Sequence, residues 1–498
     1  MGSPQIASLP PEILTAICSH LPRQQLKNVR LTSKNFNPIA SAFLFRIAYL
    51  RVGIESFRHL QSIANDTSLC HHVRVISYDP WRMKNTSKLV VEMSNGSIDM
   101  FEAWKVYDLE RGLRLSKLPE ERLRPMFENW LARVADLEAL SSSLELEMLI
   151  DIMSKLPMLN GLQYDLFARG ELHIYAGGDL SAWEINTVAN EKLPGKRRRT
   201  RKQGNQEDSF WTLLKAAHAA GRTDYVKKIK AADMDLTAWN SIGRRANPKS
   251  MVLPNLAAID LQFEMCFMMD SPCLKRILVE APLLQHLALS FNSLDSASYR
   301  SRRYVQLSDI VAQDQCWEHL KHVSLQHLAT PDSEVRDFLE RHNKSLRSLE
   351  LKDILLHPGD SVNTTPDEEA IEDRKGNEEV GSWLDMIEFL RTSLSLERVR
   401  FGGILANGRN EAWKVSNPRM EIPRTAYTDY LKPRIEKYIC DGGKNPIELV
   451  PTDRVMVEAP TDSKFDTRGL EIPYIWEDDS WRLSVVELPR VRDPNAEN

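Results

Sequence analysis

One six-residue pattern returns along this chain and limits its fold more than any other feature. An apolar residue is followed three positions later by a second and two positions after that by a third. It occurs at Leu159/Leu162/Tyr164, Leu256/Ile259/Leu261, Leu284/Leu287/Leu289, Leu320/Val323/Leu325, Leu346/Leu349/Leu351 and Leu396/Val399/Phe401, with a weaker copy at Cys70/Val73/Val75. The last two apolar positions flank a third residue, the alternation of a short strand that buries one side. The first packs in the turn that leads into the strand. No such unit closes its own core, so neighbours must stack.

From Leu256 onward the anchors lie 28, 36, 26 and 50 residues apart, near or above the 20–29 residues of leucine-rich repeats. Helical spacing fills the gaps. Pro331-Asp332 opens a run with Val335, Phe338 and Leu339 on one face, ending at His342 and Asn343. Trp383, Ile387, Leu390 and Leu394 form another, and Phe267, Leu274, Ile277 and Leu278 a third that Pro272 should interrupt. The expected fold class is α/β: an irregular solenoid over residues 51–402, with short parallel strands on its concave side and helices outside. The middle residues of the strand triplets, Asp260, Ala288, Ser324, Glu350 and Arg400, should point outward and meet a protein target.

Residues 165–250 are expected to interrupt the repeats, with a helix at Asp208–Ala220. Within a basic insert at 190–206, Lys196, Arg197, Arg198, Arg199, Arg201 and Lys202 resemble a nuclear-import signal. No aromatic residue interleaves these cations, so direct nucleic-acid binding is not expected. An acidic insert at 358–381 sets eight acids against Arg374 and Lys375, a net −6. Residues 403–498 read as a cap, helical near Tyr430, Ile435 and Tyr438-Ile439 and broken at Gly442-Gly443, followed by a partly extended tail.

The first fifty residues have another texture. Pro10, Pro11 and Glu12 suit a helix opening, and Ile13, Leu14, Ile17 and Leu21 follow at helical spacing before Pro22. A second run spans Gln24 to Thr32. Ser33 should cap a third, in which Phe36, Ile39, Ala40, Phe43 and Leu44 share a side and Pro38 is tolerated only in the first turn. Three short helices cannot make a large core, so these apolar residues either face one another, cap the domain that follows, or offer a surplus face to a partner.

The stretch Leu9-Pro10-Pro11-Glu12-Ile13-Leu14-x-x-Ile17-x-x-x-Leu21-Pro22-x-x-x-Leu26-x-x-x-Arg30-Leu31-x-Ser33-Lys34-x-Phe36 resembles an F-box, in the form common among fungal F-box proteins. The resemblance covers residues 7–50, and Phe36 stands where the family often has tryptophan. It implies that Leu9, Pro10, Glu12, Ile13, Ile17, Leu21 and Leu26 meet the Skp-type adaptor of a cullin–RING ubiquitin ligase, with Leu14, Val29 and Leu31 packing internally. Leucine-rich repeats behind an F-box also resemble a known arrangement. The segment from Arg434 to Pro446 is similar to one that often closes fungal F-box proteins.

Composition removes other classes. Lys plus Arg number 65 and Asp plus Glu 69, a net charge of −4 that argues against whole-domain nucleic-acid steering. The six cysteines hold no Cys-x-x-Cys pair and read as free thiols of a reducing compartment. No uninterrupted apolar run is long enough to cross a membrane, so a cytoplasmic or nuclear place is expected. His-Glu-x-x-His and Gly-x-Ser-x-Gly are absent, and Cys70-His71-His72 is a poor metal site. No cofactor or metal is expected. The resulting expectation is a non-catalytic substrate receptor of an SCF-type ligase. A non-ligase F-box scaffold and an α/β enzyme are its rivals.

Overall fold

The structure, a computed structural model, describes residues 9–79, 101–102, 119–164, 206–235, 252–264, 272–292, 305–357, 383–407, 411–416, 428–443 and 457–458. It begins with three helices, α1 (Pro11–Ser19), α2 (Arg23–Thr32) and α3 (Phe36–Leu44). Proline precedes the first two, where its missing N–H costs nothing. Ser33 Oγ accepts the Phe36 N–H at 3.2 Å, the expected cap, and Pro38 falls in the first turn of α3. Leu14, Cys18, Leu26, Phe36, Ala40 and Leu44 close a small core of their own.

A mixed α/β body follows. Among the described residues, eleven strands form one sheet in chain order. Strands β1 (Ile47–Arg51), β2 (Val75–Asp79), β3 (Gly161–Tyr164), β4 (Lys228–Asp235), β5 (Ala258–Glu264), β6 (His286–Asn292), β7 (His322–Pro331), β8 (Ser348–His357) and β9 (Arg398–Asn407) pair in parallel. β10 (Glu411–Ser416) and β11 (Val457–Glu458) close the edge antiparallel.

One backbone device repeats along the sheet. The residue just before each strand donates its N–H to the carbonyl of its counterpart one strand earlier. Asn160 bonds to Arg74, Lys227 to Asn160, Ala257 to Lys227, Gln285 to Ala257 and Lys321 to Gln285, each at 2.8 Å. Arg347 N bonds Lys321 O at 2.9 Å and Glu397 N bonds Arg347 O at 2.8 Å. The turn anchors Leu159, Leu256, Leu284, Leu320 and Leu346 are fully buried, as a residue that plugs the turn must be.

Helices cross between strands and share one continuous core with them. They are α4 (Ile54–Asn65), α5 (Glu120–Ala139), α6 (Ser142–Ser154), α7 (Gln206–Ala219), α8 (Pro272–Val279), α9 (Asp332–Arg341), α10 (Trp383–Ser393) and α11 (Thr428–Asp441). Val335, Phe338 and Leu339 of α9 are buried, the face expected from their spacing. Gly442 and Gly443 then leave α11 with φ of +84° and +117°, values that favour glycine.

Several details depart from expectation. Pro272 does not interrupt α8 but begins it, because a first-turn proline loses no intrahelical bond; Phe267 lies outside the described residues. The 165–250 region does not simply interrupt the strand order, since α7 and β4 sit within it and β4 pairs with both β3 and β5. Strand β9 runs to Asn407, past the expected edge at residue 402. Leu31, expected inside, is 84% exposed, because it sits on the outer side of α2's last turn while Val29 faces the small core.

Candidate functional site

Helix α1 divides its apolar residues between two sides. Leu14 and Cys18, at i and i+4, turn inward and are 2% and 1% exposed. Ile13 and Ile17, also four apart, turn outward and are 48% and 37% exposed. Pro10 and Glu12 are exposed beside them, while Leu9 and Leu21 are half-buried against the small core. Leu26, expected on the binding surface, is 5% exposed and packs inside that core. Its side chain therefore has little surface to offer a second molecule.

The trio is fastened to the sheet by polar contacts. Arg23 Nη1 donates to Ile47 O at 3.2 Å, and its guanidinium lies 5.0 Å from the Tyr49 ring centroid. Arg30 sits over Phe45 at 5.2 Å. Burial pushes the Cys18 thiol up from its ordinary pKa, so it behaves as a core residue, not a nucleophile.

A second surface is the sheet face turned away from the helices. Register places Lys230, Asp260, Ala288, Ser324, Glu350 and Arg400 in one row across β4 to β9. The sequence thus names positions that do stand side by side, but their exposure differs. Asp260 is 1% exposed and lies 3.6 Å from Lys230 Nζ. Ala288 is buried, whereas Ser324, Glu350 and Arg400 are half-buried. Ser324 Oγ donates to Glu350 Oε2 at 3.4 Å. Asp260, Ser290, Ser324, Gln326, Glu350 and Lys352 line a shallow depression together with Leu289.

Sequence reasoning missed the rows on either side. His286 and His322 stack with ring centroids 4.3 Å apart, next to Ser348 and Arg398 in register. His327 and Asp353 follow their strands' polar residues with φ of +58° and +52°, and His327 Nε2 lies 3.3 Å from Asp353 Oδ2. Burial lowers the His327 pKa, and the Asp353 carboxylate opposes that shift. Counting two residues along each strand from the triplet centres would have found Arg398 and Lys352. The left-handed pair carries no sequence signal, since neither residue is glycine.

Residues 6–51 match the F-box-like family model. They form an F-box-like domain. Ile13, Ile17, Pro10 and Glu12 all lie on the open side of its first helix. No curated protein matches the chain. Among solved structures, the crystal structure of the Rad7 and Elc1 complex in yeast is similar at 13% identity and a TM-score of 0.25, covering 69% of this chain and 76% of that one. That likeness is too slight to bear on the fold.

The remaining sites are quickly placed. Lys196, Arg197, Arg198, Arg199, Arg201 and Lys202, and the acidic insert 358–381, lie outside the described residues. Cys70, His71 and His72 form a single tight turn. Among the described residues, no group of three or more His, Cys, Asp or Glu side chains is arranged to hold a metal ion. No described helix is long and apolar enough to cross a membrane.

Proposed function

We propose that this chain is a substrate receptor of an SCF-type ubiquitin ligase. Its F-box-like domain would hold a Skp-type adaptor, and the polar strand face would hold a protein target. The family match at residues 6–51 carries the reading. The surface of α1 supports it: the domain closes its own core with Leu14, Cys18 and Leu26 and still leaves Ile13 and Ile17 in water. Pro10, Glu12, Ile13 and Ile17 are the proposed contact residues, with Leu9 and Leu21 at the margin and Leu26 as support.

The stacked strand–helix units are read as divergent leucine-rich repeats, an irregular solenoid with its strands on the recognition side. Such a receptor needs no nucleophile. It raises the concentration of target lysines near the ligase's charged conjugating enzyme.

Capture of the chain by a Skp-type adaptor tests the first half of the reading. A reconstituted mixture with cullin and RING subunits tests the second: adaptor binding without cullin recruitment or target ubiquitylation would replace the receptor by a scaffold.

A further inference from the structure

Two non-glycine residues on neighbouring strands share a backbone conformation that side chains rarely adopt. His327 on β7 has φ +58° and Asp353 on β8 has φ +52°. The parallel pairing joins Gln326 to Lys352 and Leu328 to Ile354 and steps over the residue between. Each strand therefore makes a left-handed step at the same level of the sheet. That conformation is costly outside glycine, so the surroundings must hold it. One contact spans the step: His327 Nε2 lies 3.3 Å from Asp353 Oδ2.

An ionised carboxylate only accepts, so the neutral imidazole carries its proton on Nε2 and leaves a lone pair on Nδ1. Nδ1 is shut off from solvent, and among the described residues it has no hydrogen-bond partner. The rest of the ring is part-open, the side chain being 22% exposed. A second proton must go to Nδ1, where the new N–H is buried without an acceptor. On β8, Asp353 favours the imidazolium and Lys352 opposes it; burial is the largest influence and holds the pKa below its ordinary value. β6 pairs with β7 as far as Ser290, and Phe291 and Asn292 beyond it carry no charge. Val305 O accepts the Ala329 N–H at 3.2 Å, and the acid of that neighbouring segment, Asp309, accepts the Gln306 N–H at 2.9 Å. β7 itself adds His322.

We propose that the His327–Asp353 pair is a proton-operated switch in the sheet, closed while His327 is neutral and released when Nδ1 takes up a proton. Once released, the imidazolium turns to solvent and the step between β7 and β8 opens. The closed form is fully held above the exposed-histidine pKa of about 6.5 and gives way as pH falls below it. Gln326 and Lys352, one residue before the pair, line the shallow depression of the strand face. Beyond the pair, Leu328 to Pro331 lead into α9 and hold Val305 through Ala329. Acid therefore alters the end of the depression and the support behind it. The inference concerns regulation of this face and does not depend on the receptor reading.

The test is hydrogen–deuterium exchange of the full-length chain at pH 7.5 and 5.5, corrected for the intrinsic exchange rate. Protection of peptides covering 324–331 and 350–357 should fall about threefold or more in acid, while 258–264 of β5 keeps its protection. His327→Asn removes the titrating ring and puts in a residue that tolerates the left-handed region, so its protection should not depend on pH. His319→Asn, at an exposed position ahead of β7, should respond as the wild type does. Unchanged wild-type protection at the step, an equal loss in β5, or an undiminished acid response in H327N would overturn the proposal. The wild-type comparison of the step with β5 decides even where a variant fails to fold.

Discussion

At the scale of single residues, His342 ties three consecutive units together. It is 1% exposed. Its Nδ1 lies 2.7 Å from Phe338 O, an acceptor only, so that nitrogen carries the proton. Nε2 is then free to accept the Trp317 N–H at 3.0 Å. The Trp317 indole in turn donates to Leu278 O at 3.3 Å, satisfying a carbonyl in the last turn of α8. Burial pushes the His342 pKa below its ordinary value, with the Phe338 bond opposing and Arg341 adding to the fall. The unfolded chain therefore takes up a proton at this site before the folded one does. Stability contributed by neutral His342 is full above the unfolded pKa of about 6.5 and is lost as pH falls below it. His327, lowered by burial, acts in the same direction. Thermal unfolding at pH 7.5 and 5.5 should show a lower Tm in acid, and H342Q should flatten that difference. Trp317→Phe keeps an aromatic ring but loses the Leu278 bond and leaves a cavity where the rest of the buried indole stood, and should cost about 2–3 kcal/mol in a denaturant titration.

At the scale of elements, the two sides of α1 should respond in opposite ways. Leu14→Ala opens the small core and should destabilise the helical trio by about 2–5 kcal/mol. Ile17→Asp changes an exposed position and should move stability by no more than about 0.5 kcal/mol. Circular dichroism during urea unfolding separates the two. The start of α4 offers a sharper case. Gly53 has φ +143°, and a Cβ there would run into the Asp136 carboxylate, whose Oδ1 accepts the Glu55 N–H at 3.1 Å. Asp136 thus caps α4 from a helix 81 residues away. Gly53→Ala should cost about 1–3 kcal/mol and lower the Tm.

These elements also mark where the sequence could be read and where it could not. Strands whose triplets end in Leu, Tyr or Phe were legible because large apolar residues at fixed spacing have few other uses. β4 was not, although Val226/Ile229/Ala231 keeps the spacing, because its final anchor is a small alanine. Pro272 was misjudged because a proline's effect depends on which turn it occupies, and spacing alone leaves that open within a few residues. On α1 the periodicity grouped Ile13, Leu14 and Ile17 together. The F-box resemblance, not the periodicity, put Leu14 inside and Ile13 and Ile17 outside, and their burial agrees. Arg398 escaped notice because its place beside Ser348 comes from strand register, which spacing within one strand does not show.

For the whole molecule, the apolar core is divided. Among the described residues, one cluster runs from Ala48 through the sheet and its helices to Ile439, and a separate one belongs to the F-box-like domain alone. A core of so few side chains gives limited stability by itself. A partner that binds only the folded domain would stabilise it by mass action. The account's central claim is that the outer side of α1 exists to be covered by a second polypeptide. Co-purification of the full chain with a Skp-type adaptor, wild type beside Ile17→Asp, tests this most directly. The account predicts a stoichiometric complex for the wild type and none for the variant, with both chains showing the same circular dichroism. Equal capture of the two chains, or no capture of the wild type, would contradict it.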